Sequence, residues 1–302
     1  GDAPHQKLAT ITFQNLFPPI NVRKVKLSTC QRALLVDFDA KTNRFQFRHY
    51  SISAAPTGAN RKLRKLLTSR AAPDLGQLND VLDGTLGPDA IDSYQDWLSD
   101  PEEALIYCEA QHAGSLGPGR TLARLVDLSA AETLLDVGGG TGAMSIRLLE
   151  ANPKLVSTII DFPNVAEIGW QFITKAGMTD RIRYIPSNAL VATWPKAQGA
   201  ILMSYLFSGI PGDEVPRLIA DAFNCLTPGG RFMIHDFMVE DGRTGPSMAA
   251  LWQLQHMAFT PDARSVTPGW LRTCLKDAGF VDIEEEDMIP GLTRLVHARK
   301  PD

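Results

Sequence analysis

The sequence predicts an α/β chain whose C-terminal two thirds folds as a parallel sheet covered by helices on both faces. Three observations predict it. From Tyr94 onward, short apolar stretches alternate with helix-length segments. The first of those stretches runs directly into a glycine-rich loop. The charge balance also breaks near residue 70: residues 1–70 carry 13 Lys and Arg against Asp2, Asp37 and Asp39, a net charge of +10, whereas the remainder carries 17 bases and 31 acids, a net −14.

The basic part reads as a small α+β segment. A short helix is expected first, then a hairpin of two β-rich stretches, Arg32 to Ala40 and Arg44 to Ser53, joined by Asp39-Ala-Lys-Thr-Asn-Arg44, which has turn chemistry. Asn60 is placed to cap a basic helix from Arg61 to Leu67. The loop-like runs Ala71-Ala72-Pro73-Asp74 and Asp83 to Asp89 place a linker there, dividing the chain into 1–83 and 84–302.

In the second part, Pro101 to Ala113 and Arg120 to Leu128 are expected as helices, separated by Gly114-Ser-Leu-Gly-Pro-Gly119. Thr133 to Val137 is the first strand, and Ala143 to Ala151 is the helix after the loop. Further strands are expected at Val156 to Ile160, Ile182 to Ile185, Gly199 to Leu206 and Arg231 to Ile234, the last entered through a tight Pro228-Gly229-Gly230 turn. Val281 to Glu284 and Thr293 to Arg299 close the sheet. No apolar run reaches the ~18 residues of a membrane span, and the start of the chain shows no secretory signal. Cys30, Cys108, Cys225 and Cys274 form no CxxC pair, which fits reduced thiols in a cytoplasmic compartment and no metal site. A metal held by His235, Asp236 and His256 is chemically conceivable, but their spacing does not support one.

Leu134-Leu-Asp136-Val-Gly138-Gly-Gly140-Thr-Gly142 carries the chemistry. Glycines there let the backbone approach a ligand at the positive end of the next helix. Two readings compete. Gly138-x-Gly140-x-x-Ala143, with Asp161 further on, fits the dinucleotide fingerprint. Against that, Asp136 inside the strand would repel a pyrophosphate but take the ammonium of an amino-acid-bearing ligand. The loop is G-x-G-x-G, and the chain ends on a strand–turn–strand unit rather than a substrate domain. These features favour S-adenosylmethionine.

Residues 94–302 resemble the class I small-molecule O-methyltransferases. The resemblance rests on LLDVGGGTG (134–142), TIIDFPNV (158–165), AGMTDRIRYIPSNAL (176–190), CLTPGGRFMIHDFM (225–238) and Thr267-Pro-Gly-Trp-Leu271. It implies a Rossmann-like seven-stranded methyltransferase domain with the last strand antiparallel, methylating a small-molecule acceptor on oxygen or carbon. It also implies a cofactor site of Asp136, Gly138, Gly140, Gly142, Asp161, Phe162, Asn188, Ala189 and Ser204. Asp161 would take the ribose hydroxyls, and Asn188 and Ala189 would flank the adenine. Asn188 stands where the family usually has Asp, and its amide oxygen could still meet the adenine amino group.

The family's usual base is a His after the fourth strand. By the flanking pattern Phe207 stands in its place, with its side chain expected to face the ligand crevice, so that Phe207→His would raise activity on phenols. His256 and His235 are the candidate substitutes, and both could equally be packing residues; His297 reads as structural. Phe207, Trp252, His256, Met257 and Phe259 are the candidate acceptor pocket.

Residues 7–83 resemble the C-terminal half of a Brix domain of Peter Pan-type ribosome-assembly factors. That likeness rests on Thr12-Phe-Gln-Asn-Leu-Phe-Pro-Pro-Ile-Asn21, Phe47 to Ile52 and Gly58 to Leu66. It implies an RNA contact through residues 7–70 and a nucleolar location wherever that segment is functional. The family's helical dimerisation domain is mostly absent at this position, so a homodimer stays open. The alternative function is a ribosomal-RNA-binding protein carrying a methyltransferase-like module.

Overall fold

A computed structural model describes residues 94–242, 245–246, 248–250, 252, 256, 260 and 262–302, with the backbone of five N-terminal strands. Those strands are β1 (Ala9–Phe13), β2 (Phe17–Val22), β3 (Val25–Lys26), β4 (Ala33–Asp39) and β5 (Arg44–His49). β1 pairs antiparallel with β2, and β3, β4 and β5 form a second antiparallel sheet. The expected hairpin is present, with Asp39 opposite Arg44. Ahead of it stand strands where a short helix was expected: Phe17-Pro-Pro-Ile supplies two prolines, which suit edge strands better than a helix interior. Asn60, the helix at 61–67 and the linker at 83–89 lie outside the described residues.

The main sheet has seven strands: β6 (Thr133–Val137), β7 (Val156–Asp161), β8 (Ile182–Pro186), β9 (Gln198–Ser204), β10 (Leu226–Asp236), β11 (Val281–Ile289) and β12 (Thr293–Arg299). Their order is β11-β12-β10-β9-β6-β7-β8. All pairs are parallel except those made by β12, which runs antiparallel to both its neighbours. The direction of connection reverses at β6, so its C-terminal end and that of β9 open a crevice, the usual ligand position in such sheets.

Successive residues of the central strands face opposite layers of core. Leu135, Val137, Ile201 and Met203 pack with α5 (Glu214–Cys225) and α6 (Pro268–Asp277). Leu134, Ala200 and Leu202 pack with α2 (Pro101–Leu125) and α3 (Ala143–Ala151). This double burial is why the strands read as continuous apolar runs rather than as alternating ones. α1 (Tyr94–Trp97) precedes α2, and α4 (Pro163–Lys175) follows β7.

Two local expectations are corrected. The break expected between residues 113 and 120 is absent: α2 is one helix of 25 residues with Pro118 inside it. Tertiary packing overrides the local signal. Pro118 and Gly119 are buried, and a Cβ on Gly119 would lie 2.9 Å from Arg147 Cβ on α3, so the small residues serve a close helix crossing. The Pro228-Gly229-Gly230 segment is not a separate turn before the fifth strand either. It is an irregularity within β10, whose register against β9 shifts between Leu226 and Arg231, and Gly229 takes the positive φ (73°).

Candidate functional site

A cavity of about 410 Å³ opens at the C-terminal ends of β6, β7, β9 and β10. Its floor is the glycine-rich loop. Gly138, Gly140 and Gly142 all have positive φ. A Cβ on Gly139 would lie 2.5 Å from Asp136 Cγ, whereas one on Gly140 would meet nothing within 4 Å. The loop therefore rests on the Asp136 carboxyl and presents open backbone to the cavity.

Asp136 is fully buried. Its Oδ2 accepts from Ser145 Oγ at 2.6 Å, and Ser145 in turn meets Ser157 at 2.9 Å. Its Oδ1 is buried with no partner among the described residues. A buried carboxylate oxygen without a donor is costly, and an ammonium group entering the cavity would supply one. Burial pushes the Asp136 carboxyl up to about 7, with a further push from the Asp161 charge opposing the Ser145 hydrogen bond.

Asp161, at the end of β7, accepts from Gly140 N–H at 2.7 Å and from Phe162 N–H at 2.8 Å. Burial raises its pKa to about 6, against those two hydrogen bonds. Tyr184 Oη donates to Gly140 O at 3.0 Å, and His112 Nδ1 meets Thr141 Oγ1 at 2.8 Å. The loop is thus braced from three sides before any ligand enters, as a preorganised binding loop requires.

Of the cofactor residues expected from the sequence, Asp136, Gly138, Gly140, Asp161, Phe162, Asn188, Ala189 and Ser204 line the cavity. Gly142 does not; it caps α3 in the left-handed conformation, close against Ile159 and Ile173. Asn188 already uses its Oδ1 to accept from Leu190 N–H at 2.9 Å, and its Nδ2 donates to Gln95 Oε1 at 3.0 Å.

The half of the cavity away from the glycine loop is apolar and aromatic. Trp252 stacks on Phe237 with centroids 4.9 Å apart and planes 14° apart, and Tyr205 lies 4.9 Å from Phe237. Leu206, Gly209 and Ile210 enter from the loop after β9, and Tyr107, Gln111 and Ser115 from α2. The described lining includes Asp136, Asp161 and Asp262 but no Lys or Arg.

His256 lines this half and is 7% exposed. Its Nδ1 is 2.7 Å from Tyr94 Oη, and its Nε2 is buried without a partner among the described residues. Burial lowers its pKa to about 4, so the ring is neutral near pH 7. Met257 and Phe259 lie outside the described residues.

Two expectations are overturned by the packing. Phe207 does not face the crevice: it begins a single 3₁₀ turn (Phe207–Gly209), is 1% exposed and belongs to the core around Val215, Leu218 and Phe232. The chain reverses there because Tyr205 takes a positive φ (57°), which sends Leu206 into the cavity and Phe207 beneath it. His235 does not line the cavity either. It is fully buried, its Nδ1 is 2.9 Å from Ser204 Oγ, and Tyr205 packs edge-on to it at 4.4 Å. Burial holds its pKa near 3, and it is a neutral core residue with no access to the cavity. Asp236 beside it anchors the loop after β9, accepting from Ser208 N–H at 3.0 Å and from Phe237 N–H at 2.8 Å. Among the described residues no three His, Cys, Asp or Glu side chains gather as metal ligands.

Several lining residues escaped the sequence reading. Tyr107, Gln111 and Ser115 sit at i, i+4 and i+8 on α2, so one helical stripe faces the cavity, a signal complete only if the helix runs past Ala113. Tyr94, Gln95 and Leu98 had no sequence signal.

A seven-stranded sheet with this antiparallel last strand, over a glycine loop backed by a buried acid, defines the class I methyltransferase fold. The chain belongs to the O-methyltransferase domain family, whose model matches residues 84–281, and its N-terminal part to the Brix domain family, whose model matches residues 2–160. Among curated relatives, 3-hydroxy-5-methyl-1-naphthoate 3-O-methyltransferase of Streptomyces sahachiroi is 32% identical over 164 residues, covering 54% of this chain and 47% of the relative. A Peter Pan-like protein of Arabidopsis thaliana is 51% identical over 79 residues, 26% of this chain and 23% of the relative. The chain thus spans about half or less of these relatives' lengths. In fold, human N-acetylserotonin methyltransferase, solved in complex with S-adenosylmethionine, aligns over 89% of this chain and 79% of its own with a TM-score of 0.67 at 17% identity. Among the described residues no helix is long and apolar enough to cross a membrane.

Proposed function

We propose that this chain transfers a methyl group from S-adenosylmethionine to a small, largely apolar aromatic acceptor. The observation that carries the reading is the unpartnered Asp136 Oδ1 buried beneath an open glycine backbone. In this reading Asp136 holds the cofactor's ammonium group and Asp161 its ribose hydroxyls. Phe162, Asn188 and Ala189 line the adenine side, and Ser204 lies below. The bound cofactor supplies an electrophilic methyl group. The protein's share is to align an acceptor oxygen or carbon with it, exclude water and remove a proton where the acceptor carries one.

In this reading His256 takes the proton. It is neutral, borders the acceptor half, and leaves Nε2 without a partner. Calorimetric titration of the whole chain with S-adenosylmethionine and with S-adenosylhomocysteine tests the cofactor half; micromolar-range affinity is expected, and no heat from either would end the reading. His256→Ala should lower turnover by ~10²–10⁴-fold with cofactor affinity intact.

The second reading rests on the +10 charge of residues 1–70 together with the Brix match. Here residues 1–83 form a separate segment that contacts RNA through phosphates, and the methyltransferase-like domain is its passenger. The completeness of the cofactor loop favours the enzyme. Cytoplasmic and nucleolar locations follow the two readings respectively, and a homodimer remains compatible with either.

A further inference from the structure

The segment 94–99 crosses the cavity and touches both of its halves. Tyr94 reaches His256 on the acceptor side, and Gln95 accepts from Asn188 Nδ2 on the cofactor side. Asn164, in the first turn of α4, donates to the carbonyls of Leu98 and Ser99 at 3.1 and 2.9 Å. Opposite Tyr94 and His256, the loop after β9 presents Gly209. A Cβ there would lie 3.5 Å from the Tyr94 ring and 3.8 Å from His256 Nδ1. Both are ordinary van der Waals distances, so this loop packs against the tyrosine–histidine pair.

We infer that Tyr94 is the positioning residue for His256: its hydroxyl occupies the Nδ1 side of the imidazole and leaves Nε2 as the ring atom that meets the acceptor. The inference rests on the proposed role of His256 as proton acceptor. In a neutral imidazole one nitrogen carries hydrogen and the other a lone pair, and the partner of one sets the state of the other. Nδ1 and Tyr94 Oη are 2.7 Å apart; in the proposed tautomer Nδ1–H donates to that oxygen and Nε2 holds the lone pair inside the cavity. The acceptor's O–H proton then passes to Nε2 as the acceptor oxygen bonds to the methyl carbon. The carbon–sulfur bond breaks with its electron pair going to sulfur. The resulting imidazolium keeps its Nδ1–H bond to Tyr94 and returns the proton to water once product leaves. Had the Tyr94 hydroxyl been the donor, Nε2 would carry hydrogen and could not act as a base.

Two measurements on the whole chain test this. The first needs no acceptor: long-range ¹H–¹⁵N spectra of histidine-labelled protein saturated with S-adenosylhomocysteine, with His256→Gln used to assign the signal. A bare Nε2 with Nδ1–H is expected for the native chain, and Tyr94→Phe should move the population toward Nε2–H. An Nε2–H ring in the native chain, or a tautomer unaffected by Tyr94→Phe, overturns the inference. The second compares methylation of 2-naphthol with that of an acidic nitrophenol already ionised at the assay pH. Tyr94→Phe should cost ~10-fold or more in kcat on the naphthol, part of what a misplaced base loses, and under about twofold on the nitrophenol. Equal losses on both would mean that Tyr94 only supports the cavity wall. Should His256→Gln leave naphthol turnover unchanged, the role of His256 itself fails, a different result from a failure of Tyr94 alone. If neither phenol is methylated, the tautomer spectra decide.

Discussion

Ser145 Oγ donates to Asp136 Oδ2 at 2.6 Å, which commits one oxygen of that carboxyl to the protein and leaves the other to the cavity. The pair sets a pH dependence. Burial lifts Asp136 to about 7 and Asp161 to about 6, so the folded chain holds protons that the unfolded chain has already lost. Their contribution therefore favours the fold at acid pH and is lost as pH climbs through 6 and 7. His235 and His256, held near 3 and 4, act in the opposite sense and cost stability as pH falls below about 6.5. A cationic ligand needs Asp136 ionised. Affinity for S-adenosylmethionine should fall as pH drops from 7.5 to 5.5, by up to about tenfold per unit below the Asp136 value, and Asp136→Asn should bind weakly with a flatter profile. Calorimetry across that range checks it; a flat native profile would mean that Asp136 does not hold the ammonium group.

Asp161→Ala should weaken cofactor binding by ~1–3 kcal/mol, because it removes the brace on Gly140 N–H and, in the proposed reading, a partner of the ribose. Asp161→Asn can still accept that N–H and should lose less. Equal affinities for native and Ala proteins would leave the ribose without a partner at β7.

Gly169→Ala reports on the loop from a distance. A Cβ there would sit 2.1 Å from Tyr184 Oη and 3.2 Å from Gly140 O. Tyr184 would have to leave Gly140, so the variant should lose ~1–3 kcal/mol of stability, the usual cost of overpacking, and bind cofactor more weakly. Denaturant melts with and without S-adenosylhomocysteine separate the two effects.

Phe207→Ala should destabilise the domain by ~3–5 kcal/mol, as large-to-small changes of buried aromatics do. Phe207→His should also destabilise it, since a polar ring would enter the apolar core, and should not create a base. A gain of phenol turnover from Phe207→His, with unchanged stability, would put that side chain in the cavity after all.

If the basic segment binds RNA, filter binding should weaken steeply with salt, with little sequence preference. Affinity that holds constant from low to high salt would remove the electrostatic basis of that reading.

The strands of the main sheet were legible because both their faces are buried, and β6 and β12 match their expected bounds. Asp136 and Asp161 could be located because a glycine loop fixes which strand ends surround it. What stayed hidden depends on direction rather than identity. A positive φ at Tyr205 reverses which of Leu206 and Phe207 faces the ligand, and nothing in Ser204-Tyr-Leu-Phe207 announces it. His235 and His256 look alike as letters; only packing buries one in the core and leaves the other at the cavity edge. Tyr94 is 162 residues from its partner His256, beyond the reach of any local pattern.

The described cavity lining sets three carboxyl groups against no Lys or Arg, and this bears on turnover. The sulfonium centre of S-adenosylmethionine is a fixed positive charge that vanishes with the methyl group. Ionised carboxylates in a low-dielectric cavity attract the first form more strongly than the second. In the proposed reading the lining would therefore favour the charged over the spent cofactor, and rising ionic strength should narrow the difference between the two affinities.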